Sequence, residues 1–141
     1  MNRIRVLKAT VLTIALVQLA LGAGYLLAAP AFDGLLGLSQ APAWTNWPLG
    51  MLGARYLALG AGMLMVYRDP IAHRSWVAPM VLVQALDWLA TIVNLASGSV
   101  TLGQVTTASF LPLVFIAGLL VGYPRGDRAA TTSPRAAARR P

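Results

Sequence analysis

Four long apolar stretches leave this chain few ways to fold. Residues 9–29, 49–67, 75–96 and 105–123 hold only two charged side chains, Arg55 in the second stretch and Asp87 in the third. At a helical rise of about 1.5 Å per residue, each is long enough to cross a hydrocarbon core about 30 Å thick. Only 11% of the chain is charged and its mean hydropathy is +0.67, whereas a soluble domain carries roughly a quarter charged residues. The expected fold is all-α: an antiparallel bundle of four transmembrane helices at about residues 6–29, 49–67, 75–96 and 105–123. Little chain remains outside them, so residues 1–123 are expected to form a single integral membrane domain. Residues 124–141, rich in Arg, Ala, Pro, Ser and Thr, have no apolar face and read as a disordered basic tail.

The net charge of +7 is sorted by side. Arg3, Arg5 and Lys8 precede the first stretch, Arg68 and Arg74 lie between the second and third, and Arg125, Arg128, Arg135, Arg139 and Arg140 follow the fourth. The other two connections, 30–48 and 97–104, contain no Lys or Arg. Positive residues are retained in the cytoplasm, which predicts four crossings of a bacterial inner membrane with both termini cytoplasmic. Arg far outnumbers Lys, and Ala, Gly and Pro are abundant, as in bacteria with GC-rich genomes. The same sorting leaves no folded basic surface for nucleic acid, so the bilayer is the expected partner of these charges.

The second and third stretches form a hairpin around the turn Arg68-Asp69-Pro70-Ile71-Ala72-His73-Arg74. Arg55 lies 13 residues before Arg68, and Asp87 lies 13 residues after Arg74. Both charges therefore fall about 20 Å from the same membrane face, and the sequence predicts an ion pair between adjacent helices. Gln84, Asp87, Thr91 and Asn94 share one helical face with Trp88 beside them. The first helix adds Gln18, Gly22 and Tyr25, with Gln18 at the depth of Gln84. Thr106, Ser109 and Pro112 lie on the fourth; Pro112 frees a carbonyl near Ala108 that a guanidinium could use. The candidate ligand or ion-pair site is thus Arg55, Asp87, Gln84, Trp88, Thr91, Asn94, Gln18 and Tyr25.

Other features read as packing or anchoring. Pro30 ends the first helix, and Phe32, Leu35 and Leu36 share one side of a segment expected to form a short outer interfacial helix between helices 1 and 2. Trp44 and Trp47 are expected at the outer headgroups, and Tyr67, Trp76 and Tyr123 at the inner ones. Ser75 is a candidate N-cap for the third helix, with Pro79 in its first turn. The basic start and Ala29-Pro30-Ala31 also resemble a signal peptide, but the apolar run of about 21 residues exceeds a typical h-region and favours a retained helix. Gly50, Ala54, Ala58 and Gly62 place a small residue at every fourth position, which suits close helix packing in lipid. Arg55 is only about 20° from Gly62 around that helix, so its charge is expected to face protein. Leu19-Ala20-Leu21-Gly22-Ala23-Gly24 recurs as Leu57-Ala58-Leu59-Gly60-Ala61-Gly62 and reads as reused packing sequence rather than a transporter repeat.

Enzyme classes find little support. The chain has no Cys and no Glu, and its one histidine, His73, sits in the charged turn. Thiol chemistry, disulfides and Cys-based metal sites are excluded, and a lone loop histidine builds no metal site. No serine lies beside a usable base and no glycine-rich loop cradles phosphate, so no catalytic residue, cofactor or metal is expected.

The order of features resembles a known group. A basic start leads into a helix ending in Pro30, then Phe32 and Leu35-Leu36-Gly37-Leu38; after Pro42 comes a helix with Gly53-Ala54-Arg55, Gly60 and Gly62, an Arg-Asp-Pro turn and an acidic third helix. Over about residues 9–122 this resembles the small four-helix bacterial membrane proteins of the DoxX-like or BphX-like type. The resemblance implies a four-helix integral membrane protein and supplies no reaction; of motif positions it carries over Arg55 and Asp87. Small multidrug exporters differ, since their first helix needs a membrane-embedded Glu that this chain lacks.

A charge in the bilayer interior pairs or lines water, so three functions are expected from these residues. The first is a non-enzymatic membrane protein whose polar intramembrane site binds a small ligand or partner. The second is a small transporter or channel-like homo-oligomer. The third is an accessory subunit in which the Arg55–Asp87 pair only fixes packing and the Gly50–Gly62 ladder docks a partner helix. An arginine beside Asp87 would oppose its protonation near neutral pH, which disfavours proton coupling.

Overall fold

The computed structural model describes residues 3–29, 31, 34 and 42–124. These residues form four α-helices: α1 (Arg3–Leu27), α2 (Asn46–Arg68), α3 (Val77–Ala96) and α4 (Thr106–Gly122). Single 3-10 turns at Ala43–Thr45 and Arg74–Trp76 lead into α2 and α3, and no strand occurs among the described residues. The expected interfacial helix around Phe32, Leu35 and Leu36, and the basic segment beyond Pro124, lie outside the described residues.

Local chemistry sets the helix ends. α2 stops before Pro70, and Asp69 Oδ1 accepts the N–H groups of Ile71 (3.1 Å) and Ala72 (3.0 Å), folding the turn back. Ser75 lies inside the following 3-10 turn and does not cap α3, which has no side-chain cap. Pro79 occupies the first turn of α3, where its missing N–H costs little. At the other end Gly98 takes a left-handed φ of 73°, and the Ser99 N–H reaches the Asn94 carbonyl at 3.0 Å. Gln104 Oε1 captures the Thr101 N–H at 2.8 Å, a turn that delays the start of α4. Three helical segments, Arg3–Leu27, Ala43–Arg68 and Arg74–Ala96, are long and apolar enough to cross a membrane, whereas α4 is shorter at 17 residues.

α1 is the hub. It packs against α2 along one side and α4 along another, and α3 packs mainly on α4. Two leucines interlock reciprocally between α1 and α2. A Cβ on Gly60 would meet Leu19 Cγ at 2.9 Å, and a Cβ on Gly22 would meet Leu57 Cγ at 2.8 Å. These are the first and fourth positions of the repeated Leu-Ala-Leu-Gly-Ala-Gly segment, each copy's leucine filling the other's glycine. The helix backbones come close at the same place, since a Cβ on Gly53 would lie 3.0 Å from the Gly22 carbonyl oxygen. Partners run in opposite order along the two helices, from Lys8 with its ammonium 5.5 Å from the Tyr67 ring centroid to Leu26 beside Gly53.

The packing face of α2 is therefore Gly53–Gly60, and the ladder expected at Gly50, Ala54, Ala58 and Gly62 is corrected. Ala54 and Ala58 are exposed, while Gly62 accepts the Trp76 ring, so Trp76 is a packing residue rather than a free interfacial anchor. On α4, Gly118 admits Thr10 and Gly122 admits the Leu7 backbone. The buried core (Leu7, Val11, Ile14, Ala15, Met63, Val66, Val77, Met80, Phe115 and Leu119) gathers at the end of the helices that carries the 68–74 turn. Large apolar side chains also point outward, among them Leu16, Leu82, Leu86, Val93, Val114 and Leu120, a distribution suited to lipid rather than water.

Two tests follow from this packing. Gly22→Ala must force Leu57 and the Gly53 backbone away, and is expected to cost about 1–3 kcal/mol in reversible unfolding in micelles. Gly103→Ala, where nothing lies within 4 Å, serves as control, and equal stability of the two variants would contradict the interlock. In the turn, the N–H groups of Ala72 and then Ile71 hold the Asp69 carboxyl below the usual carboxylate range. Its folded-state pKa is lower than in the unfolded chain, so the turn's contribution is present above the ordinary range and lost as pH falls through the depressed value. The Ile71 and Ala72 amide resonances should titrate with a midpoint below about pH 3.9; a midpoint above it would refute the capping role.

Candidate functional site

Beyond the core, away from the 68–74 turn, the helices leave a cavity of about 270 Å³. α1 contributes Ile14, Val17, Gln18 and Leu21; α2 contributes Tyr56; α3 contributes Gln84 and Asp87. α4 closes it with Thr107, Ala108, Leu111, Pro112 and Phe115. The lining is mostly apolar with a few convergent polar groups, the usual make-up of a small-molecule pocket.

The two glutamines form its floor. Gln18 is 4% exposed and Gln84 7%, and both donate their Nε2 groups to the same acceptor, Met80 Sδ, at 3.7 and 3.6 Å. A thioether is a weak acceptor. Gln18 Oε1 is buried with no hydrogen-bond partner, and an unmet buried acceptor costs about 1–3 kcal/mol. On α4, Pro112 has no N–H, so the Ala108 carbonyl one turn back lacks its ordinary helical donor. Ala108 and Pro112 both line the cavity.

The eight expected site residues divide. Gln18, Gln84 and Asp87 are brought together at the cavity. Trp88 instead latches α3 to α4, its Nε1–H donating to the Ser109 carbonyl at 2.9 Å. Thr91 donates to the Asp87 carbonyl at 2.9 Å and Asn94 to the Ala90 carbonyl at 2.8 Å. Both turn back on their own helix, and neither lines the cavity. Thr106 and Ser109 likewise donate to carbonyls at 3.0 and 2.7 Å, one of them within α4 and one just before it. Tyr25 stacks on Tyr56 with ring centroids 6.4 Å apart and planes at 26°, and is not itself on the cavity wall.

Arg55 is not part of this arrangement. It is exposed and absent from the cavity wall, and it makes no ion pair with Asp87 within 4.0 Å. The physical reason is the position of α1. α2 is drawn onto α1 by the glycine contacts and α3 onto α4, so α2 and α3 have few direct contacts despite forming a hairpin. The expected pair, and the proposed guanidinium contact with the Ala108 carbonyl, are corrected accordingly. Asp87, exposed at the cavity side, has no side-chain hydrogen bond or ion pair.

Sequence reasoning missed Tyr56. The signal was present: Gly53, Tyr56 and Gly60 follow i, i+3 and i+7, one face of α2 and the one that meets α1. The chain matches no family model, and no curated protein or solved structure is similar to it.

Replacing Gln18 by leucine separates structural need from site chemistry. Gln18→Leu removes an unmet buried acceptor in exchange for apolar volume, and should raise the stability of ligand-free protein by about 1–3 kcal/mol. Unfolding in micelles measures this; a destabilisation of that size would mean that the amide holds the fold together.

Proposed function

We propose that this chain is a non-enzymatic, multi-pass protein of a bacterial inner membrane whose polar intramembrane cavity binds a small molecule. The observation that carries this reading is a nearly buried glutamine, Gln18, whose carbonyl oxygen has no partner at the wall of a 270 Å³ cavity that also holds Gln84 and Asp87. A side chain needed only for packing gains nothing from keeping such a group, because hydrocarbon of the same shape would do better. A ligand donor supplies what the fold withholds.

In this reading the four helices form an antiparallel bundle, with the short α4 completing the set. Ten cationic residues fall on one side and none in the segments 30–48 and 97–104, which supports cytoplasmic termini and a cavity in the outer half of the bilayer. Arg55 lies nine residues from Asn46, about 14 Å from the outer end of α2. A long guanidinium side chain can snorkel over much of that distance to the headgroups. The resemblance to DoxX-like proteins is compatible with this architecture and adds no reaction.

The chain has no cysteine, so single introduced cysteines report topology cleanly. Gln104→Cys should react with a membrane-impermeant maleimide in intact cells, and Ala72→Cys only after permeabilisation. The reverse pattern would place the cavity in the cytoplasmic half and overturn the orientation. For the binding reading itself, native-lipid preparations should retain a small molecule released on denaturation and lost in Gln18→Leu; equal content in both proteins counts against it.

A further inference from the structure

Resting on the small-molecule reading above, we propose that the cavity selects a compact organic cation: a protonated amine carried on a small apolar body. The sign of the site comes first. Among the described residues, the only carboxyl group on its wall is that of Asp87, and no Lys, Arg or His lines it. Asp87 makes no ion pair with Arg55, the one cation within the spans, and its carboxylate has no hydrogen-bond partner. A carboxylate at such depth calls for a counter-charge or a donor.

The remaining polar groups ask for the same thing. Gln18 Oε1 lacks a donor, while the Nε2 groups of Gln18 and Gln84 are already committed to Met80 Sδ. Pro112 leaves the Ala108 carbonyl without its helical N–H. Terminal amide torsions are soft, so a modest rotation of Gln18 turns its oxygen toward a bound donor. An ammonium group offers three donors and no acceptor, which suits a wall whose open oxygens, on Gln18, Gln84, Asp87, Tyr56 and Thr107, can all accept and of which one residue carries the opposite charge. The rings of Tyr56 and Phe115 on the same wall add an environment that favours cations. Ile14, Val17 and Leu21 are apolar wall that an inorganic ion would leave uncovered. A carboxylate or phosphate ligand would instead face the Asp87 carboxylate and unmet acceptors, with only the neutral Tyr56 and Thr107 hydroxyls on this wall as uncommitted donors.

The test uses the purified full chain in phosphatidylcholine nanodiscs and three probes of similar shape, followed by titration calorimetry. They are 2-phenylethylammonium, neutral 2-phenylethanol and anionic phenylacetate. The ammonium should bind at least about tenfold more tightly than the alcohol, with phenylacetate weakest, and Asp87→Asn should abolish that preference. Equal binding of ammonium and alcohol to the native chain overturns the cation proposal and leaves a neutral small-molecule site standing. Ammonium preference that survives both Asp87→Asn and Gln18→Leu overturns it as well, since the charge is then read by lipid or another surface. No binding of any probe to folded protein, with native circular dichroism, overturns the cation proposal and the small-molecule reading together. The comparison among probes on the native chain is decisive even where Asp87→Asn fails to fold.

Discussion

The contact on which everything else depends is the close approach of α1 and α2 at Gly22 and Gly53. A leucine from each helix closes it, Leu19 over Gly60 and Leu57 over Gly22. In the lipid setting proposed for these apolar helices, hiding apolar surface from apolar solvent gains nothing, so association there rests on contact area and on how near the backbones come. Glycine at these positions lets α2 lie flat on α1, and an added methyl on either helix would push it away. Once α2 is committed to α1, α3 must find another support, and it takes α4. The core then closes only where all four helices converge near the 68–74 turn. Toward the other end α1 stays on α2 at Gly22–Gly53 and α3 stays on α4 through Trp88, and residues of all four helices line the cavity.

That arrangement explains which parts of the protein were legible from sequence. Helix positions were, because hydropathy alone sets them: the windows at 6–29, 49–67, 75–96 and 105–123 differ from α1–α4 by three residues or fewer at each boundary. Helix neighbours were not. Matched depth put Arg55 and Asp87 at one level, but depth says nothing about which face a side chain occupies or which helix stands between. A hairpin connection makes adjacency the natural expectation, and the glycines of α1 override it. The small-residue ladder misled for a related reason. Every fourth residue of α2 from Gly50 is small, yet Gly53 and Gly60 carry the contact. The better clue was the repeated Leu-Ala-Leu-Gly-Ala-Gly, since two copies running in opposite directions can fill each other's glycines.

The polar stripe of α3 was partly legible, and the division within it has a simple cause. Thr91 and Asn94 can satisfy themselves on carbonyls one turn back and do so, which makes them inexpensive in an apolar setting. Gln84 donates to the Met80 side chain one turn back on its own helix rather than to a carbonyl, and Gln18 reaches across from α1 to the same sulfur. That sharing leaves them incompletely paired. A stripe read from sequence cannot separate side chains that close on their own backbone from those that remain open; the geometry does. What remains open is small: the amide oxygens of Gln18 and Gln84, one carboxylate, the Tyr56 and Thr107 hydroxyls and one proline-freed carbonyl, surrounded by apolar wall.

The central claim is that this opening persists in a bilayer as a site for a polar guest. A structure of the protein in lipid nanodiscs, at a resolution that shows ordered water and small molecules, addresses it most directly. In that structure α3 should be held on α4 through the Trp88–Ser109 bond, with the cavity retained and density within hydrogen-bonding distance of Gln18 and Asp87. A collapsed arrangement, with Gln18 bonded to Gln84 and α3 packed against α1 with no space between, would contradict it.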